Sequence, residues 1–150
     1  AGGDGDRIAA MAADVCGHAD AGATALREAK YAWAGQLRAS GDRDQALKFY
    51  KELASDVKTR EGSEAAYYVI EALFESGDLD KTESEVFAFS DREPNAYWLA
   101  KAFLLLGDVY VRKGDTFQAR ATYQSVADGY SPADDGIVDE AKERIAKLKN

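Results

Sequence analysis

The sequence is poor in the residues that build metal centres and disulfides. Its 150 residues include one cysteine, Cys16, and one histidine, His18. A lone cysteine cannot form a disulfide within the chain, which leaves the redox compartment open. Residues two positions apart on a helix point to different faces, so Cys16 and His18 do not converge. No metal-ligand spacing, phosphate loop or dinucleotide motif is present, so the sequence predicts no enzymatic activity and no bound metal or cofactor.

Proline and long apolar runs are also scarce. There are 2 prolines, and no apolar run reaches the ~18 residues that a membrane helix requires. The best candidate, 97–111, is interrupted by Lys101 and Asp108. The net charge of −8 disfavours nucleic acid, whose phosphates need a basic stripe, and anionic membrane surfaces. We therefore expect neither nucleic-acid binding nor membrane insertion.

The remaining composition is that of a helical protein. Hydrophobic residues make up 46% of the chain and charged residues 31%. Alanine, leucine, glutamate, lysine and arginine are abundant, and these residues lose little entropy when they become helical. The length suits one domain spanning 1–150. The composition thus predicts a single all-α domain.

A Gly-Asp pair recurs along the chain at a nearly constant interval. Its glycines are spaced 36, 36 and 37 residues apart, at Gly5, Gly41, Gly77 and Gly114. Glycine can end a helix in the left-handed conformation, and the following aspartate can cap the next helix. A glutamine three residues after two of the aspartates, at Gln45 and Gln118, completes a capping box. The pattern predicts tight turns between antiparallel helices.

The segments that flank each turn carry apolar stripes with helical spacing. Before the turns the stripes are Trp33, Ala34 and Leu37, then Ala66, Val69, Ile70 and Leu73, then Phe103, Leu106, Val109 and Tyr110. After the turn at Gly41 the stripe is Ala46, Phe49, Tyr50 and Leu53, and after the turn at Gly114 it is Ala119, Ala121, Tyr123 and Val126. Small residues let crossing helices approach while large ones fill the gaps, so the sequence predicts stacked helical hairpins.

This pattern resembles the tetratricopeptide repeat family. The strongest match is formed by Phe103, Leu106, Gly107, Tyr110, Gly114, Ala119, Tyr123, Val126 and Pro132. Earlier parts of the chain match less completely, through Ala34, Leu37, Gly41, Ala46, Tyr50 and Leu53, and through Gly77, Phe89 and Pro94. The resemblance implies a right-handed α-α solenoid of stacked antiparallel hairpins, a tetratricopeptide-like superhelix.

Registering the turns divides the chain into a partial repeat at 6–26, repeats at 27–62, 63–99 and 100–133, and a capping helix at 134–150. The partial repeat leaves an open apolar face of Ile8, Met11 and Val15, so we interpret the chain as a piece or mature form of a longer protein. In the capping helix, Asp134 or Asp135 is the expected cap. Its inward face is Ile137, Val138, Ala141, Ile145 and Leu148. Its outward face is Glu140, Lys142, Glu143, Arg144 and Lys147, which is typical of a true C-terminal end.

In this family the first helix of each hairpin lines a concave groove. The resemblance therefore implies a partner-binding groove formed by Tyr31, Arg38, Glu64, Tyr67, Glu71, Phe74, Lys101, Leu104, Asp108 and Arg112. Glu28, Gly35, Glu75 and Val111 occupy further groove positions. Such a surface suits a peptide or helix with apolar anchors and some basic residues. The alternative is that Tyr67 and Phe74 only pack against neighbouring helices.

One subtype of the family clamps the C-terminal carboxylate of chaperones through lysine, asparagine and arginine side chains. Here the corresponding positions hold Tyr31, Gly35, Tyr68, Lys101 and Leu105, and only Lys101 fits. The sequence does not predict that activity.

The leading hypothesis is a non-enzymatic scaffold or adaptor, the C-terminal part of a large bacterial repeat protein, that binds a protein or peptide in its groove. The resemblance favours the cell envelope or periplasm over the cytoplasm. Two alternatives remain: a purely structural segment of a longer array, or a module that dimerises through its open N-terminal end.

Overall fold

The computed structural model describes residues 22–132 and 134–148. Along these residues the chain forms seven α-helices and no strand, which confirms the all-α prediction. The helices are α1 (Ala23–Ala39), α2 (Arg43–Leu53), α3 (Arg60–Glu75), α4 (Leu79–Asp91), α5 (Ala96–Arg112), α6 (Thr116–Gly129) and α7 (Ile137–Lys147). The predicted turn at Gly5 and the face of Ile8, Met11 and Val15 lie outside the described residues.

Three of the predicted Gly-Asp turns are described, and all three have the expected geometry. Their glycines adopt left-handed φ angles, +91° at Gly41, +88° at Gly77 and +80° at Gly114. The carboxylate after each glycine accepts the backbone N–H three residues later, at Gln45 (3.2 Å), Lys81 (3.2 Å) and Gln118 (3.0 Å). The prediction that these aspartates cap the following helices, α2, α4 and α6, is therefore confirmed.

The second half of the predicted capping box is replaced by another hydrogen bond. The backbone N–H of each aspartate donates to the carbonyl five residues before it, at Leu37 (2.9 Å), Leu73 (3.2 Å) and Tyr110 (2.9 Å). This bond belongs to the Schellman ending of the preceding helix. Because the aspartate N–H is already engaged, the glutamine side chain is not needed to satisfy it.

The chain divides into two compact units, residues 1–69 and 70–150, with the division inside α3. In unit 1, α1 packs on α2. The core of unit 1 consists of Ala34, Ala46, Tyr50, Leu53 and Ala65. Four of these residues come from α1 and α2, and Ala65 comes from the first part of α3. The predicted stripes of both hairpin helices thus contribute to this core.

Unit 2 contains the end of α3 and the helices α4 to α7. Consecutive helices pack on one another from α4 to α7, and α5 also contacts α7. Its main core cluster consists of Ala100, Leu104, Ala119, Tyr123, Val126, Ile137 and Ala141. In both units the pairing of consecutive helices is the packing expected of helical-hairpin repeats.

The structure differs from the sequence-based expectation in several local details. The helices α1, α3 and α5 begin at Ala23, Arg60 and Ala96, before the predicted repeat starts at 27, 63 and 100. For α5 the reason is Asn95, whose side chain accepts the N–H groups of Tyr97 and Trp98. Ala121, expected on the inner stripe of α6, is exposed.

The start of α7 also differs in part from the prediction. The residue that flanks α7 is Gly136, in the left-handed conformation at φ +86°. Asp135 nevertheless accepts the backbone N–H of Ile137 at 3.2 Å, so it supplies the expected acceptor from one position further back. Among the described helices, none has the length and hydropathy needed to cross a membrane.

Candidate functional site

An open cleft in unit 2 brings predicted groove residues together. Its volume is about 390 Å³. The cleft is lined by Phe74, Asp108, Val111, Arg112, Tyr123, Arg144, Lys147 and Leu148. Phe74 comes from the end of α3. The last two turns of α5 contribute Asp108, Val111 and Arg112. Tyr123 belongs to α6, whereas Arg144, Lys147 and Leu148 come from the end of α7.

The inner end of the cleft is fixed by a close crossing of α5 and α6. Gly107 is buried in α5, directly against the ring of Tyr123. The absence of a side chain at Gly107 allows this ring to approach the helix backbone closely. The hydroxyl of Tyr123 then reaches Asp108 and donates a hydrogen bond to its carboxylate. The small residue at position 107 thus determines where Asp108 finds its partner.

Asp108 belongs to a polar network that connects three helices. Its carboxylate lies 3.2 Å from one guanidinium nitrogen of Arg144. The other terminal nitrogen of Arg144 lies 2.7 Å from the carboxylate of Glu140. Burial raises the pKa of Asp108, and the Tyr123 hydroxyl and Arg144 only partly counteract this effect. Burial and the bond to Asp108 likewise raise the pKa of Tyr123. The network therefore ties α5, α6 and α7 together at the floor of the cleft.

The walls of the cleft combine apolar side chains with cations. The guanidinium carbon of Arg112 lies 5.1 Å from the centre of the Phe74 ring, a cation–π contact. Val111 is 47% exposed, and Phe74 and Leu148 are half-buried. Lys147, contributed by α7, is exposed. The lining thus includes three basic residues and one acidic residue, in a chain whose net charge is −8.

Unit 1 holds a second group of predicted groove residues. Tyr31 forms a side-chain hydrogen bond with Glu64, and burial followed by this bond raises the pKa of Tyr31. The guanidinium carbon of Arg38 lies 4.0 Å from the centre of the Tyr68 ring. The rings of Tyr68 and Tyr50 lie 4.9 Å apart. Tyr31, Arg38 and Glu64 therefore belong to one cluster that joins α1, α2 and α3 within this unit.

The other predicted groove residues are placed less favourably for contact with a partner. Leu104 is 1% exposed and lies in the core cluster of unit 2 with Ile137 and Ala141. Tyr67 is 8% exposed, as expected if it packs within the protein. Glu71 and Lys101 are half-buried. Because a partner reaches only accessible atoms, Leu104 does not belong to the candidate surface.

Four of the eight residues that line the cleft were not predicted from the sequence to belong to a binding surface: Tyr123, Arg144, Lys147 and Leu148. Arg144 and Lys147 were expected to point outward, whereas both line the cleft and Arg144 pairs with Asp108. Leu148 was expected only to fill the core. The signal was present in the spacing of Glu140, Arg144 and Lys147, which places them on one helix face. What the sequence lacked was the identity of the helix that this face meets.

A second cavity lies elsewhere in unit 2, between the start of α5 and the end of α6. Its volume is about 300 Å³, and its lining is more apolar. It is lined by Ala96, Leu99, Ala100, Phe103, Ser125, Val126, Gly129 and Tyr130. None of the predicted groove residues contributes to it. Across the described residues, no three side chains of histidine, cysteine, aspartate or glutamate are grouped as metal ligands.

The helices and the turns that join them define a class of protein. Helices joined by equivalent Gly-Asp turns, and packed on their sequence neighbours within each unit, are the elements of an α-helical repeat protein. The family model of the tetratricopeptide repeat matches residues 101–131, so this segment of the chain is a tetratricopeptide repeat. The match covers most of α5 and all of α6, including Gly107 and Tyr123. No curated protein matches the chain.

Tetratricopeptide repeats generally mediate protein–protein interaction and typically act as non-enzymatic scaffolds. Stacked repeats do so through extended surfaces formed by successive hairpins.

Proposed function

We propose that the chain is a non-enzymatic interaction module whose cleft in unit 2 binds a segment of another protein. The observation that carries this proposal is the arrangement of Phe74, Asp108, Val111 and Arg112. The family pattern assigns all four to a partner-binding face, and all four line one open cleft. The tetratricopeptide match at 101–131 supports the same class of function.

The dimensions and lining of the cleft suit an extended or helical segment. A cleft of about 390 Å³ holds a few side chains of a partner and no whole domain. Phe74, Val111 and Leu148 offer partly exposed apolar atoms to one anchoring side chain of the partner. Such anchors supply most of the binding free energy in protein interfaces. The surrounding cations define the orientation of the bound segment.

The cluster in unit 1 has a different proposed role. Tyr31, Glu64 and Arg38 already engage partners within the unit, so their polar groups are satisfied without a ligand. We assign them to holding α1 against α3. Origin from a larger bacterial protein and a location in the cell envelope remain part of the proposal, because they derive from the sequence resemblance alone.

A display selection with random peptides tests the proposed function. Peptides that bind the purified chain are selected, and their affinities are measured by isothermal titration calorimetry. Val111→Ser removes apolar contact area from the cleft, so we expect several-fold weaker binding. Phe117→Ser is the matched control, because Phe117 is 81% exposed and does not line the cleft.

The outcome is decided by the comparison of these two variants. Weaker binding to Val111→Ser and unchanged binding to Phe117→Ser supports the cleft as the binding site. If no peptide is enriched, or if the peptides bind both variants as tightly as the original chain, the proposal is wrong.

A further inference from the structure

We propose that the segment bound in the cleft is acidic, with carboxylates on both sides of one apolar side chain. This inference rests on the proposed function and specifies the chemistry of the partner. It reverses the expectation from the sequence, which favoured a partner with basic residues. The reason for the reversal lies in which side chains of α5 and α7 reach the cleft.

The cations of the cleft differ in what they already bind. Arg144 is engaged by the carboxylates of Asp108 and Glu140. Arg112 and Lys147 have no carboxylate within ion-pair distance in the described part of the chain. These two side chains therefore retain their capacity to bind a carboxylate of a partner.

The acidic residue of the cleft does not cancel this positive charge. Asp108 accepts a hydrogen bond from the Tyr123 hydroxyl and pairs with Arg144, so its negative charge is compensated inside the network. Glu140, the second partner of Arg144, is not part of the lining. The two carboxylates that bind Arg144 therefore do not neutralise Arg112 and Lys147, and a ligand in the cleft meets the charges of these two side chains.

Both α5 and the end of α7 contribute a cation and an adjacent apolar residue to the lining of the cleft. Val111 precedes Arg112 on α5, and Leu148 follows Lys147 at the end of α7. A complementary segment therefore needs an apolar side chain between the walls and a carboxylate toward each cation. Arg112 is further suited to this task, because its stacking on Phe74 orients a planar group whose edge can bind a carboxylate through two hydrogen bonds.

The net charge of the whole chain acts against an acidic ligand outside the cleft. With a net charge of −8, the protein repels acidic segments at long range. An acidic ligand is therefore retained only where cations are concentrated and apolar contact adds to the attraction.

Three synthetic peptide libraries of equal length test the inference. Each has a central leucine, flanked by glutamate in the first library, glutamine in the second and lysine in the third. We expect the glutamate library to bind on the order of tenfold more tightly than the glutamine library, and the lysine library to bind least. Amidation of the peptide C-terminus distinguishes a terminal carboxylate from side-chain carboxylates as the group that is bound.

A pair of double variants assigns the effect to the cleft. Arg112→Gln with Lys147→Gln is expected to abolish the preference for glutamate. Lys142→Gln with Lys51→Gln changes the net charge equally at exposed positions outside the cleft, and should leave the preference intact. Thermal melting of each variant, followed by circular dichroism, verifies that it is folded.

The results separate this inference from the proposed function. Two results would overturn the acidic partner and still leave the cleft as a binding site. In both, peptide binding depends on Val111. In the first, the peptides show no preference for glutamate, and in the second, the preference for glutamate persists in the Arg112 and Lys147 double variant. Peptides that ignore Val111 overturn both proposals.

Discussion

Tyr123 lies against the backbone of Gly107, and a β-carbon placed on Gly107 would come within 2.1 Å of the Cε1 atom of the tyrosine ring. Tyr123 is 2% exposed, so its ring is closely packed by the surrounding side chains. Its hydroxyl is also bound to Asp108. The distance between α5 and α6 thus depends on the missing side chain at position 107, and the same contact positions the polar network of the cleft.

Substitution of this glycine should destabilise the protein. We expect Gly107→Ala to lower the free energy of unfolding by about 1–3 kcal/mol, because overpacking forces the helices apart. Gly35→Ala is the matched control, since Gly35 lies inside α1 with no atom near its would-be β-carbon. Alanine should stabilise that helix by about 0.5–1 kcal/mol. Urea denaturation measures both changes, and equal effects of the two substitutions would contradict the described crossing.

The aspartate of the third Gly-Asp turn should act as a true helix cap. We expect Asp115→Ala to lower the free energy of unfolding by about 1 kcal/mol, because the backbone N–H of Gln118 loses its acceptor. Asp115→Asn keeps an acceptor oxygen and should restore most of the loss. Thermal unfolding of the three proteins makes the comparison. If the asparagine variant is as unstable as the alanine variant, the loss of stability is caused by the missing charge and the capping account is wrong.

The loop before α3 depends on one buried hydroxyl group. Ser63 is fully buried, and its Oγ donates to the carbonyl of Val57 at 2.6 Å. Ser63→Ala leaves this carbonyl without that donor and should cost about 1–3 kcal/mol of stability. At Ser76 the equivalent bond, to the carbonyl of Leu73 at 2.7 Å, is exposed. Because water can replace the hydroxyl there, Ser76→Ala should change stability by less than about 0.5 kcal/mol. A larger loss at Ser76 would be inconsistent with this account.

The raised pKa of Asp108 gives stability a defined pH dependence. In the unfolded chain this carboxyl titrates near 3.8, whereas burial keeps it protonated to higher pH in the folded state. The contribution of Asp108 to stability is therefore fully present below pH 3.8 and is lost as pH rises through its folded pKa. Asp108→Asn does not titrate, so its stability relative to the original protein should increase with pH across this window. Urea denaturation at a series of pH values tests this, and a difference that is constant or falls with pH would refute it.

Sequence reasoning succeeded where the determinants are local. The turns at Gly41, Gly77 and Gly114 follow from two adjacent residues, and their geometry is confirmed. Because the third turn fixes where α5 ends, counting back along this helix placed Asp108 and Arg112 on a common surface. The structure places both in the cleft, together with Phe74.

The sequence was less informative where the burial of a residue depends on a distant part of the chain. Leu104 occupies a groove position when α5 is considered alone, yet α7 brings Ile137 and Ala141 into the same core cluster. Arg144 is charged and was therefore expected to face solvent, but the half-buried carboxylate of Asp108 attracts it. Neither outcome follows from helical periodicity, because periodicity does not state which helix covers a given face.

The equivalent turns also influence how rapidly unit 2 reaches its folded state. Each helix from α4 to α7 packs mainly on its neighbour in sequence, so most stabilising contacts close short loops of chain. Proteins with such low contact order fold within microseconds to milliseconds. We expect the fluorescence of Trp98, which is buried in α5, to recover on this timescale after dilution from urea. Rapid closure of successive hairpins limits the time during which apolar stripes are exposed to other unfolded chains.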